Sequence, residues 1–267
     1  MDSRGKVIAI TGASEGIGRE LALVLAERGA RLVLGARNRE ALERVRAECE
    51  GRGSEAMSVP VDVGDEKACE AWIAAAVDRF GALDVLVNNA GISHRQRFDE
   101  TEDVRDHARL MDINYLGAVR CTLYALPHIA KSRGLIVAVS SGQGKTGFPG
   151  FTAYSASKFA MQGFFDSLRI ELYGSGVDVL VVCPGPVATQ IHDKGVASGG
   201  AEALPVADSK SLPADECARR IANAIERRQR ELSTMPMPRT TAFLKIIAPK
   251  AVDRMIQRAV NDFYGER

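Results

Sequence analysis

The sequence predicts an α/β fold: a doubly wound parallel sheet flanked by helices on both faces, in three αβα layers. Three observations predict it. Short apolar runs that read as strands alternate with stretches of helical periodicity along most of the 267 residues. Each run is mostly apolar rather than strictly alternating, as a strand buried on both faces is. The Gly, Asn, Ser, Tyr and Pro signals all follow strand ends, where a parallel sheet opens its ligand crevice.

The elements follow in order. Residues 7–10, Val-Ile-Ala-Ile, are a short strand. The run breaks into Thr11-Gly12-Ala13-Ser14-Glu15-Gly16-Ile17-Gly18, and a helical pattern through Leu21, Leu25 and Ala26 ends at Gly29. A strand over 31–35 and a charged helix over 39–50 come next. Residues 55–61 form a third strand, closed by Asp62-Val63. A helix over about 69–80 precedes a fourth strand, 83–87, which ends in Asn88-Asn89-Ala90-Gly91. A long helical region holding Asp112-Ile113-Asn114 leads to a strand at 135–139. After the Gly- and Pro-rich loop 142–150, a helix begins at Thr152. Residues 177–183 are apolar but for Asp178 and end in Pro184-Gly185-Pro186, and a helix over about 215–228 follows. With no internal repeat and no low-complexity linker, residues 1–267 are expected to form one domain.

The chemistry is densest in residues 134–160. Ser140 and Ser141 stand at the end of a strand; Tyr154 and Lys158 stand four apart near the start of a helix. Residues four apart share a helix face, so phenol and ammonium are neighbours by geometry. A free phenol has a pKa of about 10, and an adjacent cation would lower it by roughly 1–3. Ser141, thirteen positions before Tyr154, can place a hydroxyl at the same spot. Such a site moves a proton on or off a carbonyl or carbinol oxygen. A lone Tyr-x-x-x-Lys is a weak signal; its place after a buried strand gives it weight.

The first turn carries a second signal. Gly12-x-x-x-Gly16-x-Gly18 lets the backbone approach a pyrophosphate, and the following helix offers its N–H groups and positive dipole end. Just past the second strand stand Gly35-Ala36-Arg37-Asn38. A carboxylate there would bond the ribose 2′-hydroxyl of NAD. The chain instead offers Arg37, whose guanidinium can pair with a 2′-phosphate, so NADP(H) is favoured over NAD(H).

Composition narrows the class. The chain is 46% hydrophobic and 26% charged with net charge +1, and Lys and Arg are spread throughout, so nothing points to nucleic acid. The five cysteines, Cys49, Cys69, Cys121, Cys183 and Cys217, show no metal-ligand spacing and read as small buried hydrophobes. The sequence passes from MDSRGK directly into a strand, and no apolar run approaches the ~20 residues of a membrane span. A cytoplasmic location is expected.

Together these residues resemble the short-chain dehydrogenase/reductase family, over nearly the whole chain up to about Pro236. The resemblance rests on the Thr11–Gly18 turn, Asp62, Asn88-Asn89-Ala90-Gly91, Asn114, Ser141, Tyr154-x-x-x-Lys158 and Pro184-Gly185-Pro186-Val187-x-Thr189, in the family's order and spacing. It implies a Rossmann fold of about seven strands and NAD(P)-linked oxidoreduction of a small-molecule ketone or alcohol. It assigns Tyr154 as acid/base and Ser141 as the group orienting the substrate oxygen. It makes Lys158 the holder of the nicotinamide ribose and the cause of a lowered phenol pKa, and Asn114 the holder of a relay water. Cofactor contacts are implied for Gly12, Ser14, Glu15, Gly16, Ile17 and Gly18, for Arg37 and Asn38, and for Asp62 and Val63 at the adenine. Asn89, Ala90 and Gly91, then Pro184, Gly185, Val187 and Thr189 at the nicotinamide, complete the set. One departure stands: many NADP-dependent relatives carry a second basic residue inside the glycine turn, where this chain has Glu15.

Residues 190–213 fall where the family keeps a substrate lid, and their Gly195, Gly199 and Gly200 suit hinges. Past residue 235 lies an extension, expected to be helical over about 239–267. Phe243, Leu244, Ile246 and Ile247 cluster before Pro249, and Val252, Met255, Ile256, Ala259, Val260 and Phe263 form one helical stripe. Sealing the cleft against a bulky hydrophobic substrate is the expected use, ahead of packing on another subunit. Asp253, Asn261, Asp262 and the lack of a Trp place a membrane use third. Large apolar residues along the Tyr154 helix (Phe159, Met161, Phe164, Phe165, Leu168) exceed one sheet-facing stripe and predict a homodimer or homotetramer. The alternatives are an NAD-linked alcohol dehydrogenase and, in another class, a non-catalytic nucleotide-sensing module; the intact Ser141, Tyr154 and Lys158 favour the enzyme.

Overall fold

The computed structural model describes residues 1–189, 211–234 and 237–264, without the side chains of 237–240, 242 and 259–264. Seven strands form one sheet in the order β3-β2-β1-β4-β5-β6-β7, every neighbouring pair parallel. They are β1 (Val7–Thr11), β2 (Arg31–Ala36), β3 (Ala56–Pro60), β4 (Val85–Asn88), β5 (Leu135–Val139), β6 (Asp178–Cys183) and β7 (Glu231–Ser233). The helices are α1 (Gly16–Glu27), α2 (Arg39–Gly51), α3 (Glu66–Phe80), α4 (Arg105–Leu110), α5 (Gly117–Ser132), α6 (Thr152–Glu171), α7 (Ala214–Glu226), α8 (Met237–Ile247) and α9 (Pro249–Tyr264).

Mostly apolar strands make two cores because successive side chains leave the sheet on opposite faces. Ile8 and Ile10, with Leu32, Leu34, Val137 and Val182, meet Leu21, Leu25, Leu42 and Ile221 on one face. Val7 and Ala9, with Val33, Leu86, Ile136 and Val181, meet Trp72, Ile73, Cys121 and Phe165 on the other. Gly35 is needed in β2 for this second core: a Cβ there would lie 2.7 Å from the Trp72 indole. All five cysteines are free and buried, as expected of them. The strand order reverses between β1 and β4, and the crevice of such a sheet opens beyond the carboxyl ends there.

Most differences from the sequence reading are of one or two residues at element ends. Two are larger. The long helical region is three pieces, α4, a π-helical turn over Met111–Leu116, and α5. In α6, Met161, Phe165 and Leu168 turn inward to the sheet, so the surplus apolar face is narrower than the sequence suggested. Its exposed members are Phe159, Ile170 and, beyond the helix, Tyr173; Leu116 and Leu123 are exposed on and beside α5. The lid residues 190–210, with His192 and Asp193, lie outside the described residues.

Candidate active site

Beyond β1, Gly12 and Gly16 adopt positive φ of 65° and 56°, which costs a Cβ-bearing residue strain. Gly18 has no room for a side chain: a Cβ would lie 2.3 Å from the Gly12 carbonyl oxygen. The turn therefore lies flat against the first residues of α1. That helix starts with no capping side chain and no acid in its first turn. By contrast, the Asn38 carboxamide caps α2 by accepting from Ala41 N at 3.0 Å, and Asp65 caps α3. The amides opening α1 are thus left for an external anion, which is how a pyrophosphate is held. The glycine cradle and uncapped helix fit a dinucleotide.

Asn89, Ala90 and Gly91 close this cradle from the β4 side. The Thr11 hydroxyl accepts from Asn89 N (2.9 Å) and Ala90 N (3.0 Å), and the Asn89 carboxamide donates to the carbonyls of Thr11 and Gly12. Asn89 is therefore a brace that fixes two strand ends against each other. Gly91 gives close approach: its Cβ would stand 3.2 Å from Asn114 Oδ1 and 3.6 Å from Lys158 Nζ. Thr189 sits over the glycine turn, with its methyl 3.3 Å from where a Gly16 Cβ would be. Val187 pairs with Leu212, so the two ends of the lid segment are clamped side by side. Pro184 O accepts from Gly142 N, and Gly185 N donates to the Thr234 hydroxyl.

Arg37 and Arg39 are exposed beyond β2, and Arg37 has no ion pair among the described residues. Asp62 Oδ1 accepts from Gly64 N. Val63 packs its side chain against Gly117, where a Cβ would meet it at 2.7 Å. Arg120, which carries no signal in the sequence, ties this region together. It donates to Val63 O (3.1 Å) and to the carbonyl and carboxylate of Asp112. The loop after β3 is thereby joined to the π turn that bears Asn114.

Asn114 is fully buried, and both of its amide hydrogens are used. Oδ1 accepts from Ile92 N at 2.8 Å, while Nδ2 donates to Ile92 O and to the Ser157 hydroxyl. The side chain thus links β4's loop to α6 and leaves one acceptor position on Oδ1. A π turn, which shifts the ladder to i→i+5, recurs at functional positions.

Ser141, Tyr154 and Lys158 converge at the end of β5. The loop carrying Ser141 is tied to α6: Ser155 Oγ donates to Gln143 Oε1, and Gln143 N donates to Ser141 Oγ at 3.1 Å. The Ser141 hydroxyl hydrogen-bonds the Tyr154 phenol. Lys158 Nζ donates to Val139 O at 3.0 Å and lies 5.7 Å from the Tyr154 ring centroid. The lowered phenol pKa does not follow. Burial pushes the Tyr154 phenol up to about 12, with the Ser141 hydrogen bond pulling the other way. Burial also drives Lys158 down to about 8. Desolvation disfavours both charged forms.

The family is decided by the match of residues 6–198 to the short chain dehydrogenase model. The chain belongs to the short-chain dehydrogenase family. It is an oxidoreductase with a nicotinamide cofactor, and the family acts on small molecules. The chain is 36% identical over 247 residues to the 11-beta-hydroxysteroid dehydrogenase-like 4A of Arabidopsis thaliana, covering 92% of this chain and 82% of that protein. It is 37% identical over 254 residues to dehydrogenase/reductase SDR family member 7B of Mus musculus, covering 92% and 78%. Among solved structures, a short-chain dehydrogenase/reductase from Burkholderia phymatum in complex with NAD superimposes with TM-score 0.86 at 27% identity, covering 94% of this chain and 96% of that one. A short-chain dehydrogenase from Burkholderia cenocepacia J2315 in complex with NADP gives 0.80 at 26%, covering 96% and 99%.

Within this dehydrogenase, the tail meets the site. Val252 and Ile256 of α9 are buried against Phe148 in the loop after Ser141. Phe148 also packs on the cluster of Leu110, Phe151, Ala153 and Tyr154. Phe148 and Thr11 are site neighbours that sequence reasoning did not single out. Thr11 was visible inside the glycine motif; Phe148 was one apolar residue in a polar loop.

Proposed function

We propose that this dehydrogenase is an NADP(H)-dependent, cytoplasmic reductase of bulky, apolar ketones, working reversibly on the corresponding secondary alcohols as a homo-oligomer. The observation that carries the chemistry is the buried Ser141–Tyr154–Lys158 group at the end of β5. When bound, the nicotinamide supplies or accepts the hydride. Tyr154 gives its proton to the carbonyl oxygen in reduction and takes the carbinol proton in oxidation. Ser141, already bonded to the phenol, orients the substrate oxygen beside it. With the phenol near 12, Tyr154 is fully protonated at neutral pH, the form that reduction needs.

Arg37 supports the cofactor preference: an exposed guanidinium with no ion pair among the described residues stands where NAD would need a carboxylate. Arg39, two residues on, is a second cation within the same turn and answers the lack of one at Glu15. The substrate class is supported by Phe148, Val252 and Ile256, an apolar wall that joins Tyr154's own cluster. Several relatives are named as hydroxysteroid dehydrogenases, which act on substrates of that character. Exposed Leu123 and Phe159 on α5 and α6 support pairing of subunits through those helices. The deciding experiment is initial-rate turnover across ketones and alcohols graded by size, with NADPH and NADH side by side. Bulky ketones with NADPH should turn over fastest; a preference for NADH or for small polar substrates overturns the reading.

A further inference from the structure

Arg120 lies outside every site motif, yet its guanidinium holds two parts of the crevice together. It stands in the first turn of α5 with its side chain 20% exposed. Nη1 donates to Val63 O at 3.1 Å and, more weakly, to Asp112 O at 3.4 Å, while Nη2 donates to Asp112 Oδ1 at 2.6 Å. A planar fork can serve all three acceptors because it presents several N–H groups in fixed directions, whereas an ammonium is a point charge. Glycines let the same segments close on each other. A Cβ at Gly117 would lie 2.7 Å from the Val63 side chain, and one at Gly64 would lie 3.3 Å from Asp112 Oδ2.

The acceptors matter because of where they sit. Asp112 O also accepts from Gly117 N, the i→i+5 bond of the π turn, so Arg120 grips that rare turn at its widened rung. Two residues on, the turn carries Asn114, whose carboxamide holds the backbone of Ile92 and donates to the Ser157 hydroxyl. Ser157 Oγ donates in turn to Tyr154 O at 2.7 Å. Ile92 packs on the same cluster as the Tyr154 ring. A continuous series of contacts therefore leads from Val63 O through Arg120, the π turn, Asn114 and Ser157 to the backbone of Tyr154. Relaxing the turn to i→i+4 bonds would shift Asn114 about the helix axis and pull its carboxamide off Ile92 and Ser157.

We propose that Arg120 is a positioning residue for the reaction: by fixing the π turn against the loop after β3, it sets the register of Asn114 and hence the placement of Tyr154. The proposal rests on the reading of Tyr154 as the proton donor, and Arg120 acts through these residues rather than at the reacting atoms. Hydrogen exchange of the full chain tests the linkage without any substrate. In Arg120→Met, which keeps the stem and removes the donors, exchange should quicken roughly tenfold or more over Met111–Leu116 and at Ile92 N, and stay at the parent rate over Leu135–Val139. With NADPH and the fastest ketone of the size-graded panel, kcat per folded molecule should fall roughly ten- to a hundredfold, while KM for the ketone moves by less than about threefold. Arg120→Lys, which keeps a charge for Asp112 but cannot fork to Val63 O, should regain only a small part of the loss. Parent-like exchange at Ile92 in Arg120→Met overturns the proposal, as does a parent-like kcat or a general quickening that includes Leu135–Val139. Full recovery in Arg120→Lys overturns the bridge to Val63. A parent that reduces no ketone overturns the proposed function instead, and exchange alone then decides the role of Arg120.

Discussion

Lys158→Met should make the protein more stable while removing its activity. Lys158 is 3% exposed, and burial moves it from its ordinary 10.5 to about 8. At neutral pH the folded protein therefore holds a charge that the unfolded chain holds more comfortably, a cost of about 3 kcal/mol. Methionine keeps the length and helix propensity and carries no charge. It loses the bond from Nζ to Val139 O, worth about 1 kcal/mol. The net expectation is a gain of about 1–2 kcal/mol, or roughly 3–6 °C in melting temperature, for protein without added nucleotide at pH 7. The sign with pH follows from linkage. Between about 8 and 10.5 the unfolded lysine binds more proton than the folded one, so wild-type stability contributed by this group rises with pH. By pH 9.5 the residual cost is about 1 kcal/mol and the variant's advantage disappears. Tyr154 does not blur this window, because its phenol rises from 10 to about 12 and contributes only above 10, where it takes stability away. Scanning calorimetry of both proteins at pH 7 and 9.5 is the assay. A variant less stable than the parent at pH 7, or an advantage unchanged at pH 9.5, would refute the reasoning.

Tyr154→Phe keeps the ring in its cluster but removes the proton, so turnover should drop by roughly 10²–10⁴ with cofactor affinity retained; near wild-type rates sink the assignment. Arg37→Ala should cost most of a ten- to hundredfold preference for NADPH and leave NADH affinity almost unchanged, read by fluorescence titration; equal affinities in the parent would return Arg37 to the role of a surface residue. Light scattering at micromolar concentration should give two or four copies, whereas a 28.7 kDa particle excludes the homo-oligomer.

The sheet was legible because a strand buried on both faces leaves an unbroken apolar run, as 135–139 and 179–183 do. β7 was not: Glu-Leu-Ser is a three-residue edge strand, half-buried, with no run to find. The π turn over Met111–Leu116 was equally silent, since widening one helical turn changes hydrogen bonding without changing the residues that allow it. At the site, the residues were legible and their energetics were not. Tyr154 and Lys158 could be placed on one helix face from spacing alone. Whether the cation or the burial controls the phenol depends on how much water the finished fold excludes, and burial wins. Likewise, Asn89 and Asn114 were marked as functional positions, but only the fold shows their amides spent on Thr11, Gly12, Ile92 and Ser157.

Those same contacts explain where the fold departs from its own stability optimum. Two of the helices around the first strands are finished locally: Asn38 caps α2, Asp65 caps α3, and Gly81 closes α3 in the left-handed conformation. α1 alone among these three starts without a capping side chain, after glycines held at positive φ. A few turns away, a lysine is kept buried at a cost in charge. Each departure disfavours the free protein and each faces the same crevice between β1, β4 and β5. An anion at the α1 amides and a polar group beside Lys158 would relieve both, so nucleotide binding should raise stability by the amount that its affinity and concentration set. The braces around them, Thr11 to Asn89 and Ala90, Asn114 to Ile92, and Arg120 to Val63, keep the crevice open in the geometry that binding needs.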